Sequence, residues 1–282
     1  MDIDGKKVAL EIRTHLKEKI QQENLSLCIA FVLVGNDPPS QAYVKMKEKA
    51  CKEALISSLK IELEESISEA KLIEVIEKLN SDEKITGILV QMPLPKQIDE
   101  TKIINTILPS KDVDGFHPMN VGKVIMNDPT GIIPCTPYGI IKLLEAYNID
   151  TKGKNICIIG RSNIVGRPIA NLLSQKRAFG NATVTIAHSF TKDLSKITRN
   201  ADIIIAALGK PKFLKKEMIK EGAICIDVGI NREDSKIVGD IDYDEVRDIA
   251  KLITPVPGGV GPMTIAMLLE NTYLLAKSNK KS

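Results

Sequence analysis

Short, nearly continuous apolar runs recur along this chain. They alternate with segments whose apolar residues return every three or four positions. LCIAFVLVG (27–35) is the clearest case: a run apolar on both faces and closed by glycine is what a strand covered on both sides requires. Around it the periodicity predicts an amphipathic helix over 4–22, with Val8, Ile12, His15, Leu16 and Ile20 near one face. Helices over 40–54 and 67–80 and strands over 56–63 and 87–92 follow. Asp37-Pro38-Pro39 breaks the chain ahead of the 40–54 helix, with Ser40 as its expected N-cap. Such β-α-β-α-β order implies a parallel sheet wrapped by helices.

A second series begins after Thr136-Pro137-Tyr138-Gly139. IIKLLEAYN (140–148) reads as a helix, and NICIIG (155–160), ATVTIA (182–187), ADIIIAALG (201–209) and GAICIDVG (222–229) read as strands. PMTIAMLLENTYLLAKS (262–278) is a long helix with proline in its first turn. No fixed-period repeat or low-complexity tract interrupts the pattern. At 282 residues the expectation is two α/β domains.

The formal net charge is +3, with 39 basic and 36 acidic residues, which leaves no basic excess for duplex nucleic acid. Aromatics amount to 4 % and tryptophan is absent, so a stacking platform for single strands is not expected either. The longest apolar run is too short to span a bilayer, and the acidic N-terminal stretch lacks a secretory signal. Cys28, Cys51, Cys135, Cys157 and Cys225 stand singly, with no CxxC pair and no histidine at ligand spacing. That set fits reduced thiols in a cytoplasmic protein, with no structural metal.

The strand at 155–160 runs into Gly160-Arg161-Ser162-Asn163-Ile164-Val165-Gly166 and then a helix, the layout of a dinucleotide-binding unit. Gly160 permits the turn, Gly166 permits close packing of helix on strand, and exposed amides at the helix start suit a phosphate. Serine replaces the middle glycine, so the fingerprint is incomplete and a plain strand-to-helix turn stays open as a reading. An acid that would grip ribose hydroxyls is expected about 20 residues on. The second strand instead ends Thr185-Ile186-Ala187-His188-Ser189-Phe190-Thr191-Lys192, without a carboxylate. With Arg161 in the first loop, that combination favours NADP over NAD. His188 reads equally well as a partly buried polar residue, and no catalytic part is assigned to it.

Tyr43 and Lys47, four residues apart on the 40–54 helix, are neighbours on one face. That spacing alone is more common on solvated surfaces, where lysine lies along the ring. Gln91 is more informative, because it ends an otherwise apolar strand at the edge where open α/β sheets bind ligands. Lys111-Asp112-Val113-Asp114-Gly115 is a charged turn in which an aspartate can also serve as a brace. TPVPGGVGPMT (254–264) holds three prolines and three glycines within eight residues, a loop stiff at some bonds and open to close approach at others.

Together SQAYVKMKEKAC (40–51), GILVQMPLP (87–95), PSKDVDGFHPMNVGK (109–123), PCTPYG (134–139), GRSNIVGRP (160–168) and TPVPGGVGPMT (254–264) resemble the bifunctional methylenetetrahydrofolate dehydrogenase/methenyltetrahydrofolate cyclohydrolase family. The blocks occur in family order nearly from end to end. The resemblance implies a catalytic, folate-binding domain over 1–138, completed by the C-terminal helix 262–282. A Rossmann-type NADP-binding domain over 139–261 would stand between them, with folate in the cleft and a homodimeric assembly.

It further implies two reactions on tetrahydrofolate derivatives: NADP⁺ takes a hydride from the methylene bridge, and water then opens the methenyl product to the 10-formyl compound. Lys47 would serve the second reaction with Gln91 hydrogen-bonded to it. A cationic substrate disfavours a second positive charge beside it, so the implied species is a neutral Lys47 amine that activates water while Gln91 orients it. Tyr43 would pack on the folate rings, Asp114 would bond to the pterin, and Gly259 and Pro262 would line the cleft. Gly160, Arg161, Ser162, Ser189 and Ile230 match positions that contact NADP. A shikimate-dehydrogenase-like enzyme would share the second domain but leaves Tyr43, Lys47, Gln91 and Asp114 unexplained.

Overall fold

A computed structural model describes residues 1–234 and 236–279. Its elements are, in chain order, α1 (Gly5–Gln22), β1 (Cys28–Val34), α2 (Pro38–Glu53), β2 (Ser57–Leu63), α3 (Glu69–Ser81), β3 (Gly87–Val90), α4 (Glu100–Thr106), α5 (Pro118–Ile125) and α6 (Cys135–Ala146). They continue with β4 (Asn155–Ile159), α7 (Gly166–Ser174), β5 (Thr183–Ala187), α8 (Leu194–Thr198), β6 (Ile203–Ala206), β7 (Ile224–Asp227), β8 (Asn231–Glu233), β9 (Lys236–Val238), α9 (Tyr243–Val246), β10 (Leu252–Ile253) and α10 (Val260–Asn279). The chain separates into two compact units. Among the described residues no helix is long and apolar enough to cross a membrane.

One unit comprises Glu11–Ile133 and the chain from Ile265 onward. Its sheet is parallel throughout, in the order β2-β1-β3. Every β1 residue after Cys28 is buried, as expected of a central strand covered on both faces, whereas the edge strand β2 is largely exposed. Ala30, Val32 and Val34 pack with Leu72, Ile76 and Leu79 of α3 and with Ile88 and Val90 of β3. Beyond β3 a parallel bridge joins Ile88 to Asp112 and extends the sheet. α10 is tied into this unit by the fully buried Asn271, whose Nδ2 donates to the carbonyls of Val113 (2.9 Å) and Ile133 (3.0 Å).

The start of α2 differs from the sequence expectation. Asp37, not Ser40, is the N-cap: its carboxylate accepts from the Ser40 backbone N–H (2.9 Å) and hydroxyl (2.6 Å). Pro38 and Pro39 are the first residues of the helix rather than a break before it, because proline lacks only an N–H that the first turn leaves unpaired anyway. The same reasoning moves the start of α6 back to Cys135, ahead of Pro137.

The other unit comprises Met1–Leu10 and Pro134–Thr264, with a parallel sheet in the order β10-β7-β6-β4-β5. The first residues of the chain therefore pack here and not, as the 1–138 boundary implied, with the rest of the N-terminal segment. Ile3 is fully buried, its N–H donates to Ile253 O (2.7 Å), and Met1 O accepts from Ile253 N (3.1 Å), so the N-terminus forms a parallel bridge beside β10. The core gathers Cys157, Ile159, Ile204, Ala206, Cys225 and Ile253 from the sheet with Leu214, Ile241 and Val246. The β8–β9 hairpin, too short and polar to stand out in the sequence, follows β7.

Two buried carboxylates hold the loops beyond β6 and β7. Asp240 accepts from the amides of Leu208 (2.6 Å), Gly209 (3.0 Å) and Lys210 (2.8 Å) and from Asn231 Nδ2 (2.9 Å). Asp227 accepts from the amides of Gly229, Asp240 and Ile241. A Cβ on Gly229 would collide with the Asp240 carboxylate, and one on Gly239 with that of Asp227, so both positions need glycine. Asp240→Ala removes a buried carboxylate that accepts from four part-buried donors; it is expected to cost about 2–3 kcal/mol of unfolding free energy, measured by urea denaturation.

Candidate active site and dinucleotide loop

Along α2 the buried residues are Ser40, Val44, Lys47, Ala50 and Cys51. Lys47 thus occupies the stripe at 40, 44, 47 and 51 that faces the interior, where an apolar side chain would ordinarily stand. It is 9 % exposed, and its Nζ donates to Gln91 Oε1 at 3.0 Å. That contact is what separates this pair from the solvated surface its spacing alone suggests. The stripe was present in the sequence and would have marked Lys47 as buried.

Gln91 is the first residue past β3, and its backbone N–H still donates across to Val32 O (2.9 Å). Its side-chain Nε2 donates to Met92 O (2.7 Å). With the amide nitrogen so engaged, the oxygen turns to Lys47, and one N–H of the amine is committed to Gln91. Tyr43 lies one helical turn before Lys47; burial pushes its hydroxyl up from the ordinary phenol range, so it remains a protonated, packing group. Cys51, one turn after, is a fully buried thiol pushed up to about 12 by burial and is no nucleophile.

The two aspartates of the 111–115 turn divide their work. Asp112 is the brace: its buried carboxylate accepts from the amides of Gly115 (3.1 Å), Phe116 (3.3 Å) and His117 (2.9 Å) and from Asn120 Nδ2 (2.9 Å). Lys111, also buried, donates to Leu79 O and Asp82 O. Asp114 is left half-buried on the turn that these residues hold. The sequence could not tell the two apart, since both precede glycine at turn spacing.

In the second unit Gly160 follows β4 at φ +132°, a backbone conformation suited to glycine, and a Cβ there would collide with Ala207 O. A Cβ on Gly166 would collide with Gly160 O, so both glycines serve close packing. Ser162 supplies what the missing glycine does not. Its Oγ accepts from the amides of Val165 (3.1 Å) and Gly166 (3.3 Å), so two amides expected to await a phosphate are already capped. The Ser162 O–H remains as an outward donor.

The β5 end lies alongside: Gly160 N donates to Ala187 O (2.9 Å), and Ser189 is exposed in the following turn. Arg161 and Ser162 are exposed as well, and no carboxylate occurs over 188–192. These exposed donors and the two glycines fit a dinucleotide bearing an extra phosphate. Ile230, half-exposed beyond β7, lies two strands from β4 and three from β5 in the sheet order. Gly259 immediately precedes α10 and Pro262 lies in its first turn; a Cβ on Gly259 would crowd Thr254 Cβ at 2.6 Å. His188 is structural, with Nδ1 accepting from Phe190 N (3.2 Å).

A buried amine in an apolar stripe is retained at some expense of stability. Lys47→Met is therefore expected to stay within about 1 kcal/mol of the parent in urea denaturation, since an unbranched apolar side chain suits the stripe.

Comparison with known proteins gives this geometry a family. Residues 3–114 match the tetrahydrofolate dehydrogenase/cyclohydrolase catalytic domain, and residues 134–280 match the tetrahydrofolate dehydrogenase/cyclohydrolase NAD(P)-binding domain. The bifunctional protein FolD of Campylobacter hominis is 53 % identical over 283 residues, covering 99 % of this chain and 98 % of that one. The crystal structure of the bifunctional methylenetetrahydrofolate dehydrogenase/cyclohydrolase FolD from Campylobacter jejuni superposes with a TM-score of 0.95 at 52 % identity, over 99 % of both chains. The Trypanosoma brucei dehydrogenase–cyclohydrolase, complexed with NADP cofactor and inhibitor, does so at 0.94 and 35 % identity, over 100 % of this chain and 99 % of that one. With both domains matched in order along nearly its whole length, the chain belongs to the tetrahydrofolate dehydrogenase/cyclohydrolase family.

Proposed function

We propose that this protein oxidises 5,10-methylenetetrahydrofolate to the 5,10-methenyl compound with NADP⁺ and hydrolyses that product to 10-formyltetrahydrofolate. Family membership supports both activities, and the 3.0 Å contact between Lys47 Nζ and Gln91 Oε1 carries the assignment of the second.

The two steps ask different things of the chain. Bound NADP⁺ supplies the acceptor for the hydride that leaves the methylene carbon. The adjacent nitrogen lone pair stabilises the cation left behind, so the protein's part is to hold and orient the partners. Gly160, Arg161, Ser162, Ser189 and Ile230 hold the dinucleotide, with Arg161 and Ser189 meeting its 2′-phosphate. Tyr43 packs against the folate rings, Asp114 bonds to the pterin, and Gly259 and Pro262 border the folate.

Hydrolysis needs proton management. A methenyl cation repels an ammonium, so Lys47 acts as the neutral amine, with one N–H directed to Gln91 and its lone pair left for water. The water oxygen bonds to the one-carbon atom while Lys47 takes a water proton. The C–N bond opposite the nitrogen that keeps the formyl group then breaks, a proton is returned to the departing nitrogen, and one proton is released overall. Gln91 is a positioning residue: its own amide is anchored on Met92 O, so it fixes where the amine points.

A homodimer in the cytoplasm completes the reading. The family resemblance supports the assembly, and five free cysteines, four of them buried, suit a reducing compartment. Light scattering is expected to give twice the 31.0 kDa chain mass.

Lys47→Ala and Lys47→Met are expected to abolish hydrolysis of the methenyl compound, followed by loss of its absorbance, while NADP⁺ reduction with the methylene compound stays substantial. Survival of hydrolysis in a folded variant would remove Lys47 from the mechanism.

A further inference from the structure

The turn after β5 is closed by three hydrogen bonds. Thr191 N donates to His188 O (2.8 Å), His188 N to Thr191 Oγ1 (2.8 Å), and Phe190 N to His188 Nδ1 (3.2 Å). Ser189 and Phe190 therefore occupy its two central positions, and the Phe190 ring is held outward, 79 % exposed. His188 meets that ring edge-on at 6.3 Å and 68°. On its face lies the guanidinium of Arg161, from the neighbouring loop, with Cζ 5.8 Å from the ring centroid. Among the described residues the Arg161 side chain has no ion pair and no hydrogen bond, so the ring is its one specific contact.

We propose that Phe190 is a positioning residue for cofactor choice: it holds the Arg161 guanidinium so that the enzyme discriminates a 2′-phosphorylated dinucleotide from an unphosphorylated one. The inference rests on the reading of Arg161 as the 2′-phosphate ligand. A free arginine on a surface loses much side-chain freedom when it ties down a phosphate. A guanidinium already drawn over a ring by a cation–π contact has given up part of that freedom before the ligand arrives. The ring lies to one side of the exposed Arg161 side chain, so N–H donors directed away from it stay open to phosphate oxygens. NAD⁺ offers these donors only a neutral 2′-hydroxyl in place of a charged phosphate, so the benefit falls chiefly on NADP⁺.

The test compares KM and kcat with NADP⁺ and with NAD⁺, and the Kd of each by calorimetry, for Phe190→Ala, Phe190→Tyr and Arg161→Ala. Because the Phe190 side chain is exposed, melting temperatures of its variants should match the parent. Phe190→Ala is expected to raise KM and Kd for NADP⁺ about three- to fivefold, with kcat and the NAD⁺ constants unchanged. Phe190→Tyr should restore the parent values, and Phe190→Ala should add nothing on the Arg161→Ala background. Equal weakening of both dinucleotides, no weakening at all, or an additive effect on that background overturns the role of Phe190 and leaves that of Arg161 standing. If Arg161→Ala itself leaves the preference for NADP⁺ unaltered, the 2′-phosphate assignment fails first, and this inference with it.

Discussion

The Lys47 amine rests on the Gln91 amide oxygen, on the face of α2 that packs inward. A cationic side chain there is costly unless something fixes it, and the fixing is done at both ends. Asp37 caps α2 through the Ser40 amide and hydroxyl, and two prolines set its first turn, so the helix enters in one conformation. Gln91 is held by its backbone to Val32 and by its side-chain nitrogen to Met92. Neither partner can turn away without breaking a hydrogen bond that belongs to the fold. The direction of the amine is thus set by α2 and by the residue that follows β3.

The second unit solves a related problem differently. The segments beyond parallel strands have no further ladder to join, yet they form the edge where open α/β sheets bind ligands and must hold their shape. Asp227 and Asp240 gather the amides of two such segments in a buried cluster, and burial pushes Asp227 up to about 7 against the pull of three amide donors. Asp112 does the same for the turn that carries Asp114. Ser162 does it in miniature for the 160–166 loop, where its hydroxyl occupies two amides that a glycine would have left free. In each place a short polar side chain substitutes for missing sheet hydrogen bonds.

Much of the fold was legible because its signals are local. The apolar run at 27–35 could only be a covered strand, and the runs from 155 to 229 identified four strands of the second sheet. What escaped depended on partners distant in sequence. Residues 1–3 carry no strand signal of their own and join the sheet by a single bridge only because Ile253 offers an edge. The hairpin of β8 and β9 is too short for periodicity to register. At α2 the error was in the weight given to proline, which begins a helix as readily as it ends one.

Among functional groups, the position of Gln91 at a strand end and the strand–turn–helix layout of the 160–166 loop pointed to sites, whereas Tyr43, Lys47 and Asp114 were nominated by motifs that resemble the family, their spacing alone being ordinary. Spacing along one chain could not establish that a lysine and a glutamine 44 positions apart share a proton. Nor could it show which of two neighbouring aspartates is the brace, or that Phe190 lies beneath Arg161. The sequence by itself determined two α/β units, their family and the candidate chemistry, since hydrophobic period and motif are properties of neighbours along the chain. Only the tertiary structure decided which polar groups meet, because hydrogen bonds and ring contacts act over a few ångströms of space whatever the separation in sequence.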